Sequence, residues 1–278
     1  MQPGQPSRTA IGAARHRAAH QVLDHGAIFD DPLAMAILGE NMEADVGHAQ
    51  GDPLKRALRL FIAVRSRFAE DALATAVAAG VTQLVILGAG LDTFAFRSPL
   101  AKKLRIFEVD HPATQAWKRE RLANASIAIP DTLTFAPVDF ERDTLASGLA
   151  RAGFEVQQAT FFTWLGVVPY LTEHAVFATL GFIATLPAGS QVVFDYANPP
   201  PAERGALREA HDKLSARVAS IGERFVSYFA TDALHARLRD LGLREIDDLG
   251  PARIAARCFP GKGPVPRDAG GHVVRAAK

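Results

Sequence analysis

The chain has 278 residues, of which 48% are hydrophobic and 22% charged, so its composition is that of an ordinary globular protein. Its formal net charge of +1 and the lack of a Lys/Arg run argue against a nucleic-acid partner. The single cysteine, Cys258, excludes an internal disulfide and a cysteine-based zinc site.

Other absences in the sequence narrow the class of protein further. No apolar run is long enough to span a membrane, and no apolar signal segment is present, so we expect a cytoplasmic protein without a membrane partner. No group of His, Asp and Glu residues has the spacing of metal ligands, so we expect no metal. The sequence leaves the oligomeric state open.

The N-terminal part of the chain is predicted to be helical. An alanine-rich helix is predicted from Thr9, and one or two helices over 53–79. Asp31, followed by Pro32, is predicted to cap a further helix. Because these helices precede the first strand, they must pack on the sheet or cover its ligand edge, and we expect them to form a lid.

An apolar run followed by a glycine turn is the central motif. Leu84 to Gly88 predicts a strand that is buried on both faces. Gly88-Ala89-Gly90 then allows a sharp turn and a close approach of the backbone to a ligand. Residues 104–110 predict the second strand, and Asp110 at its end is placed to accept hydrogen bonds from both hydroxyls of an adenosine ribose.

The sequence of this turn favours a nucleoside without phosphate. A dinucleotide fingerprint has a third glycine, which is absent here, and Asp92 brings a negative charge near the place of the phosphate. Alternatively, Asp92 caps the helix that follows. S-adenosyl-L-methionine fits such a turn better, so the motif favours a methyltransferase over an NAD(P)-dependent oxidoreductase. A non-catalytic nucleoside-binding module is the other alternative.

The rest of the chain alternates strands with helices, which predicts a mostly parallel, seven-stranded α/β sheet in a single domain over 1–278. Thr172 and Thr231 are predicted helix caps, and the last strand of a final pair is compatible with an antiparallel direction. The later strands are predicted at 133–137, 160–165, 191–196, 243–246 and 271–275. The predicted parts are the lid (8–80), the cofactor-binding core (81–200), a helical insertion or second lid (201–230, with a helix at 202–222) and the completion of the sheet (231–278).

Several motifs together carry a family resemblance. They are Gly88-Ala-Gly-Leu-Asp-Thr93, Glu108-Val-Asp-His-Pro112, Asp139-Phe140 and Trp164-Leu-Gly-Val-Val-Pro-Tyr-Leu171. This set resembles the leucine carboxyl methyltransferase family, and more closely its bacterial branch of S-adenosyl-L-methionine-dependent methyltransferases associated with polyketide-type O-methylation. The resemblance implies the class I methyltransferase fold, a Rossmann-like doubly wound sheet with a helical N-terminal lid and a helical insertion after the fifth strand.

The resemblance also implies a cofactor site. Gly88, Ala89 and Gly90 would pass under the methionine part of S-adenosyl-L-methionine, and Asp110 would hold the ribose. The adenine would lie against Asp139 and Phe140, which follow the third strand.

At the other end of the cofactor, the resemblance implies that Arg65 pairs with the carboxylate, with Arg67 as the alternative. Leu165 stands where the eukaryotic branch has an acid. Leu165 is therefore part of the implied site, but the resemblance implies no contact between it and the cofactor amine. For the same reason, the resemblance does not imply that the substrate is a phosphatase tail.

The expected reaction is an in-line methyl transfer to a carboxylate or acidic hydroxyl of a small, secondary-metabolite-like acceptor. Tyr170 and Tyr196, at the ends of the fourth and fifth strands, are candidate catalytic residues or packing aromatics with a satisfied hydroxyl. Asp110 has the alternative of a solvated strand-end acid, and Arg65 that of a surface charge. No general base is identified.

Overall fold

The computed structural model describes residues 8–39, 52–140, 142–203, 205–220, 224–258 and 270–278. Its centre is one seven-stranded sheet in the order β3-β2-β1-β4-β5-β7-β6. All neighbours are parallel except β7, which is antiparallel to both β5 and β6. The strands are β1 (Gln83–Leu87), β2 (Arg105–Asp110), β3 (Leu133–Pro137), β4 (Thr160–Trp164), β5 (Gln191–Ala197), β6 (Glu245–Leu249) and β7 (Gly271–Ala277). The predicted doubly wound, mostly parallel sheet is confirmed.

Helices cover both faces of this sheet. They are α1 (Arg8–Leu23), α2 (Pro53–Ala78), α3 (Phe94–Arg97), α4 (Pro112–Asn124), α5 (Leu145–Arg151), α6 (Glu173–Thr185), α7 (Ala206–Ser220), α8 (Thr231–Asp240) and α9 (Pro251–Cys258). Short 3₁₀ helices lie at Ala36–Leu38, Pro99–Lys103 and Val168–Tyr170. In the described part of the chain, no helix has both the length and the apolar character that a membrane crossing requires.

Alternating side chains of each strand build two apolar layers. Val85 and Leu87 of β1 pack towards α5, α6 and α8, whereas Leu84 and Ile86 pack towards α2. Burial on both faces explains why β1 is a continuous apolar run rather than an alternating one. Because α2 packs across one face of the sheet, its side chain Arg65 reaches the edge where the parallel strands end.

Two predicted helix starts are wrong. No helix begins at Pro32, because residues 32–35 form a turn. The buried carboxylate of Asp31 instead accepts hydrogen bonds from Arg17 Nε (3.0 Å) and Thr93 Oγ1 (2.8 Å). The cap of α8 is Ala230, and Thr231 is the first helical residue. The Thr172 cap is confirmed, since its side chain accepts a hydrogen bond from the amide of Ala175.

Strand positions agree with the sequence within one or two residues, apart from the sixth. That strand begins at Glu245 and ends at Leu249, later than the predicted 243–246. Leu243 lies fully buried before the strand, so its apolar side chain fills the core without belonging to the ladder. The sequence analysis did not predict α5 or α9.

A charged pair lies in the interior between β2 and α4. Lys118 Nζ is 2.6 Å from Glu108 Oε2, and both side chains are at most 1% exposed. The other carboxylate oxygen of Glu108 has no hydrogen-bond partner in the described part of the chain. Burial raises the pKa of Glu108 to about 7, against the opposing effect of Lys118.

We expect Lys118→Met to destabilise the fold by about 3–5 kcal/mol, because Glu108 loses its partner in the interior. The double variant Glu108→Gln/Lys118→Met should recover most of this loss, since no buried charge remains. Urea unfolding measures both. Arg67→Met is the control, because its pair with Asp71 is exposed and should contribute at most about 1 kcal/mol. Equal losses in the single and double variants would contradict the prediction.

Candidate functional site

A cavity of about 460 Å³ opens at the edge of the sheet where β1, β2 and β4 end. This volume lies within the range of small-molecule sites, and the position is the one where doubly wound sheets bind ligands. Its wall combines three parts of the chain: the turns after β1 and β4, one side of α1, and single residues such as Asp110 and Arg65.

The glycine turn after β1 is held by β2. The amides of Gly88 and Ala89 donate to the carbonyl oxygen of Val109 at 2.8 and 3.1 Å, and the amide of Gly90 donates to Asp110 Oδ2 at 2.6 Å. Both glycines have positive φ, +64° and +47°. The turn is therefore a left-handed bend whose amides are already used inside the protein.

Glycine is also required at this turn by the space around it. A Cβ at Gly88 would lie 2.4 Å from Val167 Cγ2, and one at Gly90 would lie 2.9 Å from Ala10 Cβ. Val167 belongs to the turn after β4 and Ala10 to α1. The bend therefore lies against both, and it forms the floor of the cavity.

Asp110 presents a fixed carboxylate to the cavity. Oδ2 accepts the Gly90 amide, and Oδ1 accepts the amide of His111 at 2.7 Å. Burial raises the pKa of Asp110, and these two amides act in the opposite direction. Each oxygen of a carboxylate has a second lone pair, so Asp110 keeps the capacity to accept two more hydrogen bonds.

A second buried charged pair lies beside the turn after β4. Arg65 Nη1 donates to Asp195 Oδ2 at 2.8 Å, and the two side chains are 11% and 5% exposed. The other oxygen of Asp195 accepts the amide of Gly166 at 2.5 Å. Arg65 lines the cavity, and its Nε has no hydrogen-bond partner in the described part of the chain.

Asp195 is not among the site residues predicted from the sequence, although the sequence contains a signal for it. Asp195 follows the apolar run Val192-Val193-Phe194 of β5, as Asp110 follows the apolar residues of β2. An acid at the end of a buried strand indicates the ligand edge in both cases. Its partner Arg65 is 130 residues earlier in the chain, and no local pattern connects the two.

The predicted site residues fall into two groups. Leu165 and Tyr170 line the cavity together with Arg65, the glycine turn and Asp110. Asp139 and Phe140 follow β3 at the same edge of the sheet but do not line the cavity, and the Phe140 side chain is exposed. Their expected contact with adenine is not tested by this arrangement and stays a prediction.

Tyr196 lies away from the cavity in a buried polar cluster. Its hydroxyl donates to Asp248 Oδ2 at 2.6 Å and lies 3.2 Å from Thr231 Oγ1. Its ring stacks on His272 with centroids 4.7 Å apart. For Tyr196, the alternative of a packing aromatic with a satisfied hydroxyl describes this environment.

The first helix closes one side of the cavity, which the sequence analysis expected only in general terms. Thr9, Ala10, Ala13 and Arg17 of α1 line it. Arg17 also binds the Asp31 carboxylate and the carbonyl oxygen of Leu91, so α1 is tied to the segment after the glycine turn. Asp92 accepts the amide of Phe94 at 2.8 Å, but the cap of α3 is Thr93, so the predicted cap at Asp92 is one residue too early.

Two kinds of group are absent from this site. In the part of the chain that the structure describes, no three His, Cys, Asp or Glu side chains are grouped to hold a metal ion. Among the described residues around the cavity there is no histidine.

Solved structures share this fold. A Thermobifida fusca protein assigned as a methyltransferase matches with a TM-score of 0.56 over 100% of this chain and 96% of that chain, at 18% identity. A DUF574 family protein from Streptomyces avermitilis matches with a TM-score of 0.55 over 96% of this chain and 97% of that chain, at 16% identity. With the strand order, these matches confirm the class I methyltransferase-like fold.

Sequence comparisons supply the family. The model of the family described as leucine carboxyl methyltransferase matches residues 10–184. A Bacillus subtilis (strain 168) protein assigned as an S-adenosyl-L-methionine-dependent methyltransferase, YktD, is 32% identical over 279 residues, which cover 91% of each chain. The fold and these matches define an S-adenosyl-L-methionine-dependent methyltransferase, as predicted, with S-adenosyl-L-methionine as the cofactor. The chain belongs to the leucine carboxyl methyltransferase family.

Gly88→Ala should lower both stability and affinity for the cofactor product S-adenosylhomocysteine. A left-handed non-glycine residue costs roughly 1–2 kcal/mol, and the new Cβ would also displace Val167. Gly181→Ala is the control, since a Cβ at this position in α6 meets no atom within 4 Å, and it should stabilise by up to about 1 kcal/mol. Chemical unfolding and calorimetric titration measure the two effects. If Gly88→Ala behaves like Gly181→Ala, the turn is not under the packing constraint described.

Proposed function

We propose that this protein methylates a carboxylate or acidic hydroxyl oxygen of a small-molecule acceptor, by in-line transfer from S-adenosyl-L-methionine. The observation that carries the proposal is a pair of residues that line the cavity: Asp110, whose carboxylate has spare acceptor capacity, and Arg65, whose buried Nε has no hydrogen-bond partner in the described part of the chain. A nucleoside amino acid complements both groups, since its ribose donates hydrogen bonds and its carboxylate accepts them.

The order of these residues along the ligand edge of the sheet, from β3 to β4, supports an assignment of each part of the cofactor. We propose that Asp110 holds the ribose, that Gly88, Ala89 and Gly90 lie under the methionine part, and that Arg65 binds the carboxylate. Asp139 and Phe140 are proposed for the adenine. Leu165 offers this end of the cavity an apolar surface without a charge. When bound, the cofactor supplies a methyl group that its sulfonium makes electrophilic.

The glycine turn supports this cofactor over a nicotinamide dinucleotide. Phosphate binding needs free amides at a helix N-terminus. Here Gly88, Ala89 and Gly90 give their amides to β2, and the helix that follows, α3, has four residues with its Phe94 amide already bound by Asp92. A cavity bordered by α1 and the turn after β4 favours catalysis over a simple nucleoside-binding module, because a reaction of this kind profits from partial exclusion of water.

The positive charges around the cavity favour an anionic acceptor. Besides Arg65, which we assign to the cofactor carboxylate, Arg17 and Arg224 line the cavity, and no histidine does so among the described residues. A carboxylate is ionised at neutral pH and needs no general base, whereas a phenol with a pKa of about 10 would profit from one. The chain's part in the reaction is then to align the acceptor oxygen and to exclude water. Tyr170, which lines the cavity, remains the candidate side chain for orienting the acceptor.

We propose a single domain in which α1, from the N-terminal part 8–80, acts as the lid over the cofactor-binding core. The segment that follows α7 contributes Arg224 and Val226 to the cavity wall, which supports a substrate-covering role for the insertion 201–230. Residues 231–278 complete the sheet with β6 and β7.

The first experiment is calorimetric titration with S-adenosyl-L-methionine, S-adenosylhomocysteine, NADH and NADPH in parallel. Micromolar binding of the first two alone is expected. Methyl-labelled cofactor and panels of carboxylic acids and phenols then identify the acceptor. A methyl ester is hydrolysed in alkali and a methyl ether is not, so the lability of the label reports which oxygen is methylated. Binding of a nicotinamide alone, or transfer to nitrogen or carbon only, would overturn the proposal.

Asp110→Ala should weaken S-adenosylhomocysteine binding by about 1.5–3 kcal/mol, roughly 10- to 150-fold, because hydrogen bonds to a charged acceptor are lost. Asp71→Ala is the control, since Asp71 lies outside the cavity, is half-exposed, and has the surface arginines Arg67 and Arg257 as its ion-pair partners in the described part of the chain. Titration calorimetry on both variants checks the difference. Unchanged affinity in Asp110→Ala would remove the ribose assignment.

A further inference from the structure

We propose that Asp195, at the end of β5, is the positioning residue that presents the Arg65 guanidinium to the carboxylate of the cofactor. This inference rests on the proposed function, because it takes Arg65 as the group that receives that carboxylate. Asp195 itself does not line the cavity, so it acts through Arg65 and through the turn after β4.

Arg65 uses only some of its hydrogen-bond donors within the described part of the chain. A guanidinium has five N–H donors in a fixed plane. Nη1 donates to Asp195, Nε has no partner in the described part of the chain, and Nη2 makes no hydrogen bond there either. The unfilled donors Nε and Nη2 therefore share one side of the plane. That side is an edge with which arginine binds a carboxylate through two parallel hydrogen bonds.

Arg65 lies against the turn after β4. Gly166 has φ +74°, and a Cβ there would lie 2.6 Å from Arg65 Nη2. The guanidinium therefore packs directly on the backbone at Gly166. Because Asp195 also accepts the Gly166 amide, a single carboxylate fixes both the guanidinium and the surface on which it rests.

Asp195 also balances the positive charge of Arg65. A guanidinium buried without a partner is strongly unfavourable, and Asp195 is the acid that forms an ion pair with Arg65 in the described part of the chain. The residue before Gly166 is Leu165, so the turn itself carries no acid. The carboxylate at this turn comes instead from the neighbouring strand, β5, in register with β4.

These contacts require both oxygens of Asp195. The Gly166 amide and Arg65 Nη1 are both donors, so each needs an acceptor oxygen. Asparagine has one acceptor oxygen and one donor nitrogen, and it can satisfy only one of the two. Asp195→Asn therefore keeps the shape of the side chain but releases either the guanidinium or the turn.

The test compares two ligands that differ in the amino-acid part. S-adenosylhomocysteine has the carboxylate, whereas 5′-methylthioadenosine keeps the adenosine and sulfur without it. We expect Asp195→Asn to weaken S-adenosylhomocysteine by about tenfold or more, and to leave 5′-methylthioadenosine within about twofold of the wild-type affinity. Arg65→Ala should give the same pattern. In the Arg65→Ala background, adding Asp195→Asn should change neither affinity further, because the asparagine oxygen can still accept the Gly166 amide and the guanidinium that it fails to hold is already absent.

If Asp195→Asn does not fold, Asp195→Glu replaces it in this test, because it keeps the negative charge. Its longer side chain moves the carboxylate, so we expect the same selective loss of affinity for S-adenosylhomocysteine. Equal weakening of both ligands would mean that Asp195 only supports the structure, and it would overturn the inference. So would an unchanged affinity for S-adenosylhomocysteine in a folded Asp195 variant. The proposed function fails separately, if the wild-type protein does not bind S-adenosylhomocysteine.

Discussion

The backbone turn after β1 is held by the neighbouring strand β2, and the site depends on this constraint. Gly88 and Ala89 donate their amides to Val109, and Gly90 donates to Asp110. The same hydrogen bonds that bend the backbone also orient the Asp110 carboxylate and occupy the amides that a phosphate would need. We propose that this turn makes a sheet that is otherwise common to many α/β proteins selective for a nucleoside without phosphate. The close contacts of Gly88 with Val167 and of Gly90 with Ala10 then fix how near the turn after β4 and α1 come to the ligand.

Opposite charges are separated along the ligand edge of the sheet. Asp110 lies at the end of β2, while Arg65, reaching over from α2, lies beside the turn after β4. A molecule with hydroxyl donors at one end and a carboxylate at the other matches this separation. Two arginines that line the cavity are paired with acids that do not line it: Arg65 with Asp195, and Arg17 of α1 with Asp31. Such partners fix the side chains before a ligand arrives, so less conformational freedom is lost on binding.

Local patterns in the sequence were sufficient to locate the strands other than β6 and to find part of the site. Buried apolar runs marked the strands, and Asp110 was recognisable because both its spacing and its position at a strand end are local properties. The prediction of a helix cap at Asp31 failed for the opposite reason. Its contacts with Arg17 and Thr93 depend on tertiary packing, which the sequence around it does not encode. Tyr196 was a catalytic candidate for the same reason: its strand-end position is local, whereas its partners Asp248 and His272 belong to the last two strands. Asp195 joins residues from β5, β4 and α2, and only the folded chain brings them together.

A crystal structure of the protein with S-adenosylhomocysteine is the most direct measurement. We expect the ribose hydroxyls to lie on Asp110, with its bonds to Gly90 and His111 retained, and the carboxylate to lie on Nε and Nη2 of Arg65 while Nη1 stays on Asp195. A ligand bound elsewhere on the molecule, or one in this cavity with its ribose away from Asp110 and its carboxylate away from Arg65, would contradict the proposed cofactor site.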